Sequence, residues 1–144
     1  AGRADAAKAF ESAHDLATWA IARWPEDVRS WRQLAQIELT RAQVASAHTN
    51  PPAESLASGQ SFDSLAITPP QAWFDAMEHA ATLDPWSPEL AYRLARGYAR
   101  VSDQTQARFW ATKALRNHEQ RHLDPLAGLS ENQLQRIDEV LKTP

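Results

Sequence analysis

Apolar residues recur three and four positions apart along most of this chain, and they seldom alternate with polar residues as they do in strands. Alanine is abundant and glycine occurs only four times, which favours helices because alanine has the highest helix propensity and glycine one of the lowest. Within residues 4–24 a single apolar stripe is formed by Phe10, Ala13, Ala17, Ala20, Ile21 and Trp24. The pattern predicts an all-α protein.

Further helices are predicted to begin where a side chain can accept a hydrogen bond from a backbone amide, with or without proline at the first helical position. Such starts occur at Asp27, Thr68 with Pro69, Ser87 with Pro88, residues 102–104, and Ser130. Thr68 with Gln71 and Ser130 with Gln133 also have the spacing of capping boxes. The last start predicts an amphipathic C-terminal helix over residues 130–142, with Leu134, Ile137 and Leu141 on one side.

The helical pattern is interrupted at residues 48–68, which read HTNPPAESLASGQSFDSLAIT. This stretch is rich in serine, proline, asparagine and glycine, and such a composition is typical of loops. A few apolar side chains, among them Phe62 and Leu65, could anchor it. The sequence therefore predicts a long loop insertion between two helices.

Composition limits the classes of function. The chain has 144 residues, 43% hydrophobic and 23% charged, which suits one soluble globular domain, 1–144, and we expect it to be a fragment of a longer protein. Without cysteine there are no disulfides and no cysteine-ligated metals. A net charge of −3 gives no global attraction for nucleic acid, and no apolar run is long enough for a membrane span. The compartment, cytoplasmic or extracytoplasmic, stays open.

Two segments of the chain are alike, RWPEDVRSWRQLAQIEL and LDPWSPELAYRLARGYA. In each, a helix ends at proline, a polar turn follows, and a Leu-Ala pair comes nine and ten residues after the proline. This pattern is similar to that of the tetratricopeptide repeat family, and residues 88–121 span the 34 positions of one such repeat. Its signature positions are occupied by Leu94, Ala95, Tyr98, Ala107, Ala111 and Ala114.

The resemblance implies a superhelix of antiparallel helix pairs with about two and a half repeats. The insertion, 48–68, falls within the middle repeat, and the helix over 130–142 caps the C-terminal end. Trp73 and Glu119 depart from the family pattern, which has a small residue and a proline there. Members of this family bind proteins and catalyse nothing themselves, so the resemblance implies a scaffold or interaction module that needs no cofactor.

In that frame, the first helices of successive repeats line a concave groove that binds the partner. The residues that the resemblance places in the groove are Arg29, Arg32, Gln36, Tyr92, Arg93, Arg96 and Arg100. Arginine forms two-point contacts with carboxylates, so the expected partner is an acidic protein segment or peptide. The alternative is that these charges form an ordinary solvated helix face.

A different chemistry is suggested by HEQRH, where His118, Glu119 and His122 follow the order H-E-x-x-H of zinc peptidases. The intervening Gln120 and Arg121 are typical of a solvent-exposed surface rather than of a buried cleft. No downstream motif supplies a third zinc ligand. A zinc-dependent hydrolase is therefore the less favoured hypothesis. The two histidines are expected to lie on the surface near a helix C-terminus, where positive charge is favourable.

Two further expectations concern the tail of the chain and its aromatic residues. The segment HLDPLAGLSENQLQRIDEVL resembles the end of soluble repeat tails on bacterial membrane glycan polymerases and O-antigen ligases. This resemblance implies, as an alternative function, an accessory domain of a membrane-anchored parent protein. Most of the six tryptophans are expected to fill the core, and Trp86, which follows a proline in a turn, is expected to be exposed.

Overall fold

A computed structural model describes residues 2–47, 67–121 and 128–144. Across these ranges the protein is all-helical, as the apolar spacing predicts, and no strand is found there. The six helices are α1 (Gly2–Arg23), α2 (Val28–Ala47), α3 (Gln71–Leu83), α4 (Pro88–Arg100), α5 (Gln104–Gln120) and α6 (Glu131–Lys142). They form two compact units, α1 to α3 and α4 to α6. Most of the predicted insertion, residues 48–66, lies outside the described residues.

The predicted cap of α2 is confirmed. The carboxylate of Asp27 accepts hydrogen bonds from the backbone amides of Arg29 and Ser30, both at 3.2 Å, and from the Ser30 hydroxyl. That hydroxyl bond, with smaller contributions from the two amides and the Arg29 charge, lowers the pKa of Asp27 below its ordinary value. The stabilisation from this cap is thus present at neutral pH and is lost only as pH falls through the lowered pKa.

Three further helix starts are also formed by the residues that the sequence indicates. Ser87 accepts a bond from the Leu90 amide, Asp103 from the Gln106 amide, and Ser130 forms a reciprocal capping box with Gln133. Each cap satisfies backbone amides that have no partner within their own helix. These local interactions set where α4, α5 and α6 begin.

The predicted start of α3 is wrong by two residues. Helix α3 begins at Gln71, and the carbonyl of Pro70 accepts the first intrahelical bond, from the Phe74 amide at 3.4 Å. Thr68 is therefore not the cap, and Pro69 is not helical. The physical reason is that proline disfavours helical dihedral angles in the residue before it, so Pro70 favours extended backbone at Pro69.

In the unit of α1 to α3, helix α2 packs against both α1 and α3. Ala17 of α1, Ala35 and Leu39 of α2, and Met77 and Ala80 of α3 are buried. The three alanines among them are small enough to let the helix axes approach closely. The arrangement of neighbouring helices is compatible with a helical repeat.

In the unit of α4 to α6, helices α4 and α5 form the most extensive helix pair. Only residues 101–103 connect them, so the two helices are antiparallel. Ala95, Ala107, Ala111 and Ala114 have no exposed surface, which places the alanines of the predicted signature in the core. Helix α6 packs against both α5 and α4 and buries Ile137.

The expectation for the tryptophans is correct for some and wrong for others. Trp73 and Trp110 are buried, and Trp86 is exposed as expected. Trp19 and Trp24, however, expose 59% and 54% of their surface, and their rings contact each other edge to face at 5.7 Å. Trp19 does not fill the core because it lies on the side of α1 away from the buried Ala17, and Trp24 follows the last residue of α1.

Candidate functional site

The clearest cationic surface lies on α2, and we call Arg29, Arg32 and Gln36 the α2 stripe. The three side chains are exposed and lie within about 60° of one another around the helix, next to the buried Leu39. Neither Arg29 nor Arg32 has a side-chain ion pair within the part of the chain that the structure describes. Two guanidinium groups that have no ion pair among the described residues therefore lie on one helix face.

The stripe has defined ends. At its C-terminal end, the side-chain amide of Gln36 donates to the Thr40 hydroxyl at 3.4 Å. That hydroxyl in turn donates to the backbone carbonyl of Gln36 at 2.8 Å. At its N-terminal end, the Asp27 carboxylate caps the helix and contributes one negative charge close to Arg29. Of the two arginines, Arg32 is the farther from that carboxylate along the helix, and its positive charge is the less compensated.

A second set of predicted groove residues lies on α4, and we call Arg93, Arg96 and Arg100 the α4 stripe. All three are half-buried. Two nitrogens of Arg93 contact one carboxylate oxygen of Glu89, each at 2.8 Å, four residues earlier on the same helix. Arg96 and Arg100 have interactions of their own. The α4 stripe is thus less available to an acidic partner than the α2 stripe.

The family pattern places Tyr92 in the groove, and this prediction is wrong. Its side chain is only 1% exposed, so it offers no surface to a ligand. Helix α4 buries Leu90, Ala91, Leu94 and Ala95, which span well over a third of its circumference, and Tyr92 lies at the edge of that buried arc. The arginines of the α4 stripe occupy the remaining arc.

The α2 stripe belongs to the first compact unit and the α4 stripe to the second. Within each helix the spacing brings the predicted residues onto one face, as expected from a helical period of 3.6 residues. Neither unit contains both stripes. A common groove formed by the two helices stays a prediction.

The HEQRH motif has a structural role for its first histidine. His118 is half-buried at the end of α5, and its Nδ1 accepts a hydrogen bond from the Leu129 amide at 2.9 Å. This bond holds the residue before the α6 cap against α5. The expectation that His118 is a surface residue is wrong, because the chain returns to it just before α6. His122 lies outside the described residues.

That hydrogen bond disfavours zinc binding by His118. An Nδ1 that accepts from an amide carries no proton, so the neutral imidazole carries its proton on Nε2 and has no lone pair there. A zinc-bound histidine has the opposite pattern, since its second nitrogen donates to a carbonyl or carboxylate. Nor does any group of three acidic or histidine side chains suited to a metal occur among residues 2–47, 67–121 and 128–144.

We expect purified protein to contain no stoichiometric zinc, as measured by elemental analysis after dialysis, and its melting temperature to be unchanged by a chelator. His118→Ala should lower the free energy of unfolding by about 0.5–1.5 kcal/mol, since the Leu129 amide loses its acceptor. One zinc per chain, removed by a chelator with loss of stability, would contradict this assignment of His118.

Asn117 is a buried polar residue that the sequence analysis overlooked. Its side-chain amide donates to the Pro85 carbonyl at 3.1 Å and to the Ser87 carbonyl at 3.4 Å, which attaches the end of α5 to the turn before α4. The signal was present in the sequence: position 117 continues the buried alanine spacing of Ala107, Ala111 and Ala114. A polar residue on a buried stripe is expected to be hydrogen-bonded.

Comparison with known proteins finds no match for this chain. No protein-family model, no curated protein and no solved structure matches the chain. Among the described residues, no helix is both long and apolar enough to cross a membrane. Support for a function therefore comes from the side chains of the two stripes.

Proposed function

We propose that the chain is a tetratricopeptide-like helical-repeat module that binds an acidic segment of a partner protein through the α2 stripe. The observation that carries this proposal is the pair Arg29 and Arg32, exposed on one face of α2 and without an ion pair in the described part of the chain. Solvated arginines with no internal partner can pair with carboxylates in two-point geometry. No catalytic step is part of this function.

The spacing of the stripe indicates the form of the ligand. Arg29 and Arg32 lie three residues apart on a helix, where side chains start about 5–6 Å from each other. In an extended peptide, side chains two residues apart point to the same side and are separated by about 6.6 Å. An extended peptide with acidic residues at alternate positions, lying along α2, therefore fits the two guanidinium groups, and Gln36 can bond to its backbone.

The α4 stripe has a secondary part in this proposal. Arg93 already shares its charge with Glu89, so a ligand carboxylate would have to compete with an existing partner. The hydrolase hypothesis has less support than peptide binding, because the Nδ1 of His118 is occupied by the Leu129 amide. Peptide binding by exposed arginines needs no such rearrangement.

The proposal is tested with a fluorescein-labelled peptide of sequence Glu-Ser-Glu-Ser-Glu-Ser and fluorescence anisotropy at low salt. Arg29→Ala and Arg32→Ala should each raise Kd by about three- to tenfold, as expected for exposed charge-assisted contacts. Arg32→Lys should also weaken binding, because lysine keeps the charge but loses the planar fork. Raising the salt concentration should weaken binding by the unmodified chain, since exposed charges are screened over about 8–10 Å.

Arg41→Ala is the matched control, since Arg41 is an exposed arginine of α2 that lies about 120° around the helix from Arg29. If Arg41→Ala weakens binding as much as Arg32→Ala, the chain attracts anions by charge alone and the α2 stripe is not a site. A peptide with glutamine in place of glutamate should not bind. Equal binding of that peptide would likewise contradict the proposal.

A further inference from the structure

The outward face of α1 has a regular composition that peptide binding by α2 does not explain. Its residues follow the alternating spacing of four and three that packs helices in coiled coils. We call them the α1 seam, and all are exposed: Asp5, Ala9, Ser12, Leu16, Trp19 and Arg23. Ala17, about 120° around α1 from the middle of the seam, is buried where α1 packs on α2.

The apolar part of the seam is unusually exposed. Leu16 and Trp19 leave 62% and 59% of their surfaces accessible, and Trp24 adds an exposed ring in edge-to-face contact with Trp19. Large apolar side chains of this kind, clustered at one place, commonly mark an interaction surface. Single exposed apolar residues would need no such explanation.

The charges of the seam identify its partner. Asp5 lies at one end and Arg23 at the other, with the apolar residues between them. In a second copy of α1 running antiparallel, residue 5 faces residue 23 and residue 9 faces residue 19. Each Asp5 then meets an Arg23, and each bulky Trp19 meets a small Ala9. A parallel copy would instead place like charges opposite each other at both ends, which is destabilising.

We propose that α1 is a homodimerisation helix, which pairs two copies of this chain antiparallel along the α1 seam. The interface is isologous, so both charge pairs form at once. The contact is small, because each copy supplies about six seam residues where stable complexes use roughly 20–30 a side, so the dimer is weak. Asp15, on the flank of the seam close to the two-fold axis, faces its own copy and opposes association.

Sedimentation velocity from 5 to 500 µM tests whether the dimer forms. The unmodified chain should shift from monomer to dimer over this range, and Trp19→Glu should remain monomeric throughout. Trp86→Glu is the matched control, because Trp86 is exposed to nearly the same extent, 57%, but lies outside α1. Asp15→Asn should lower Kd about two- to threefold, since it removes a like-charge contact.

Charge exchange tests the antiparallel direction. Asp5→Arg alone and Arg23→Asp alone should each raise Kd about fivefold, and the double variant should restore association because the two pairs are re-formed with reversed sign. Circular dichroism of every variant checks that α1 stays helical. Single variants that weaken association with no rescue in the double variant would contradict the antiparallel pairing.

Cross-linking gives a second test, because the chain contains no cysteine. The double variant Asp5→Cys with Arg23→Cys should form a disulfide-linked dimer under mild oxidation, whereas neither single variant should. The two positions are about 27 Å apart on one helix, too far for a bond within a chain. Cross-linking by the single variants would indicate a parallel pair, and a chain that stays monomeric up to 500 µM would overturn the proposal.

Discussion

Replacing Leu94 with alanine is expected to lower the free energy of unfolding by about 2–5 kcal/mol. The side chain of Leu94 has no exposed surface and lies in the middle of α4, the helix that packs against both α5 and α6. Removing three carbon atoms leaves a cavity that the surrounding helices can only partly fill. Urea denaturation followed by circular dichroism at 222 nm measures the change.

The control is Leu16→Ala, the same chemical change at a position that is 62% exposed. At low micromolar concentration it should alter stability by less than about 0.5 kcal/mol. Should the two compact units unfold in separate transitions, only the transition of the unit containing α4 should move in Leu94→Ala. Equal effects of the two substitutions would show that Leu94 is not a core residue.

The fold class follows from the sequence because helix formation leaves local signals. Ser87, Asp103 and Ser130 cap the helices that their positions predict, since a cap depends on only three or four neighbouring residues. The start of α3 was misplaced where two local rules conflict. Proline is favoured in the first turn of a helix, but the steric effect of Pro70 on Pro69 prevails.

Burial is harder to predict where it depends on which other element lies alongside. Trp24 has the spacing of the apolar stripe of residues 4–24 and is nevertheless 54% exposed. A helical period shows only that residues share a face, not that another helix covers it. The alanines 95, 107, 111 and 114 were placed correctly because two helices joined by three residues must pack against each other.

The candidate site was predictable in part. That Arg29 and Arg32 share one face of α2 follows from their spacing. Their exposure does not, because Leu39 lies only about 20° from Arg32 around the helix and is buried. The neutralisation of Arg93 could also have been foreseen, because a glutamate four residues before an arginine is a favourable helical pair. The burial of Tyr92 could not, since it depends on how much of the circumference of α4 is covered.

A larger side chain at a helix–helix contact should lower the stability of the protein nearly as much as a cavity does. Ala114 has no exposed surface on α5, which packs against α4 and α6. Ala114→Leu should lower the free energy of unfolding by about 1–3 kcal/mol, because the added atoms force the helices apart or into strained rotamers. Ala95→Leu, on the facing helix α4, should have a cost in the same range.

Ala72→Leu, at an exposed position of α3, should change stability by less than about 0.5 kcal/mol. If chemical denaturation showed Ala114→Leu to be as stable as Ala72→Leu, the close approach of α4 and α5 would be refuted, and with it the alanine pattern that supports a helical repeat.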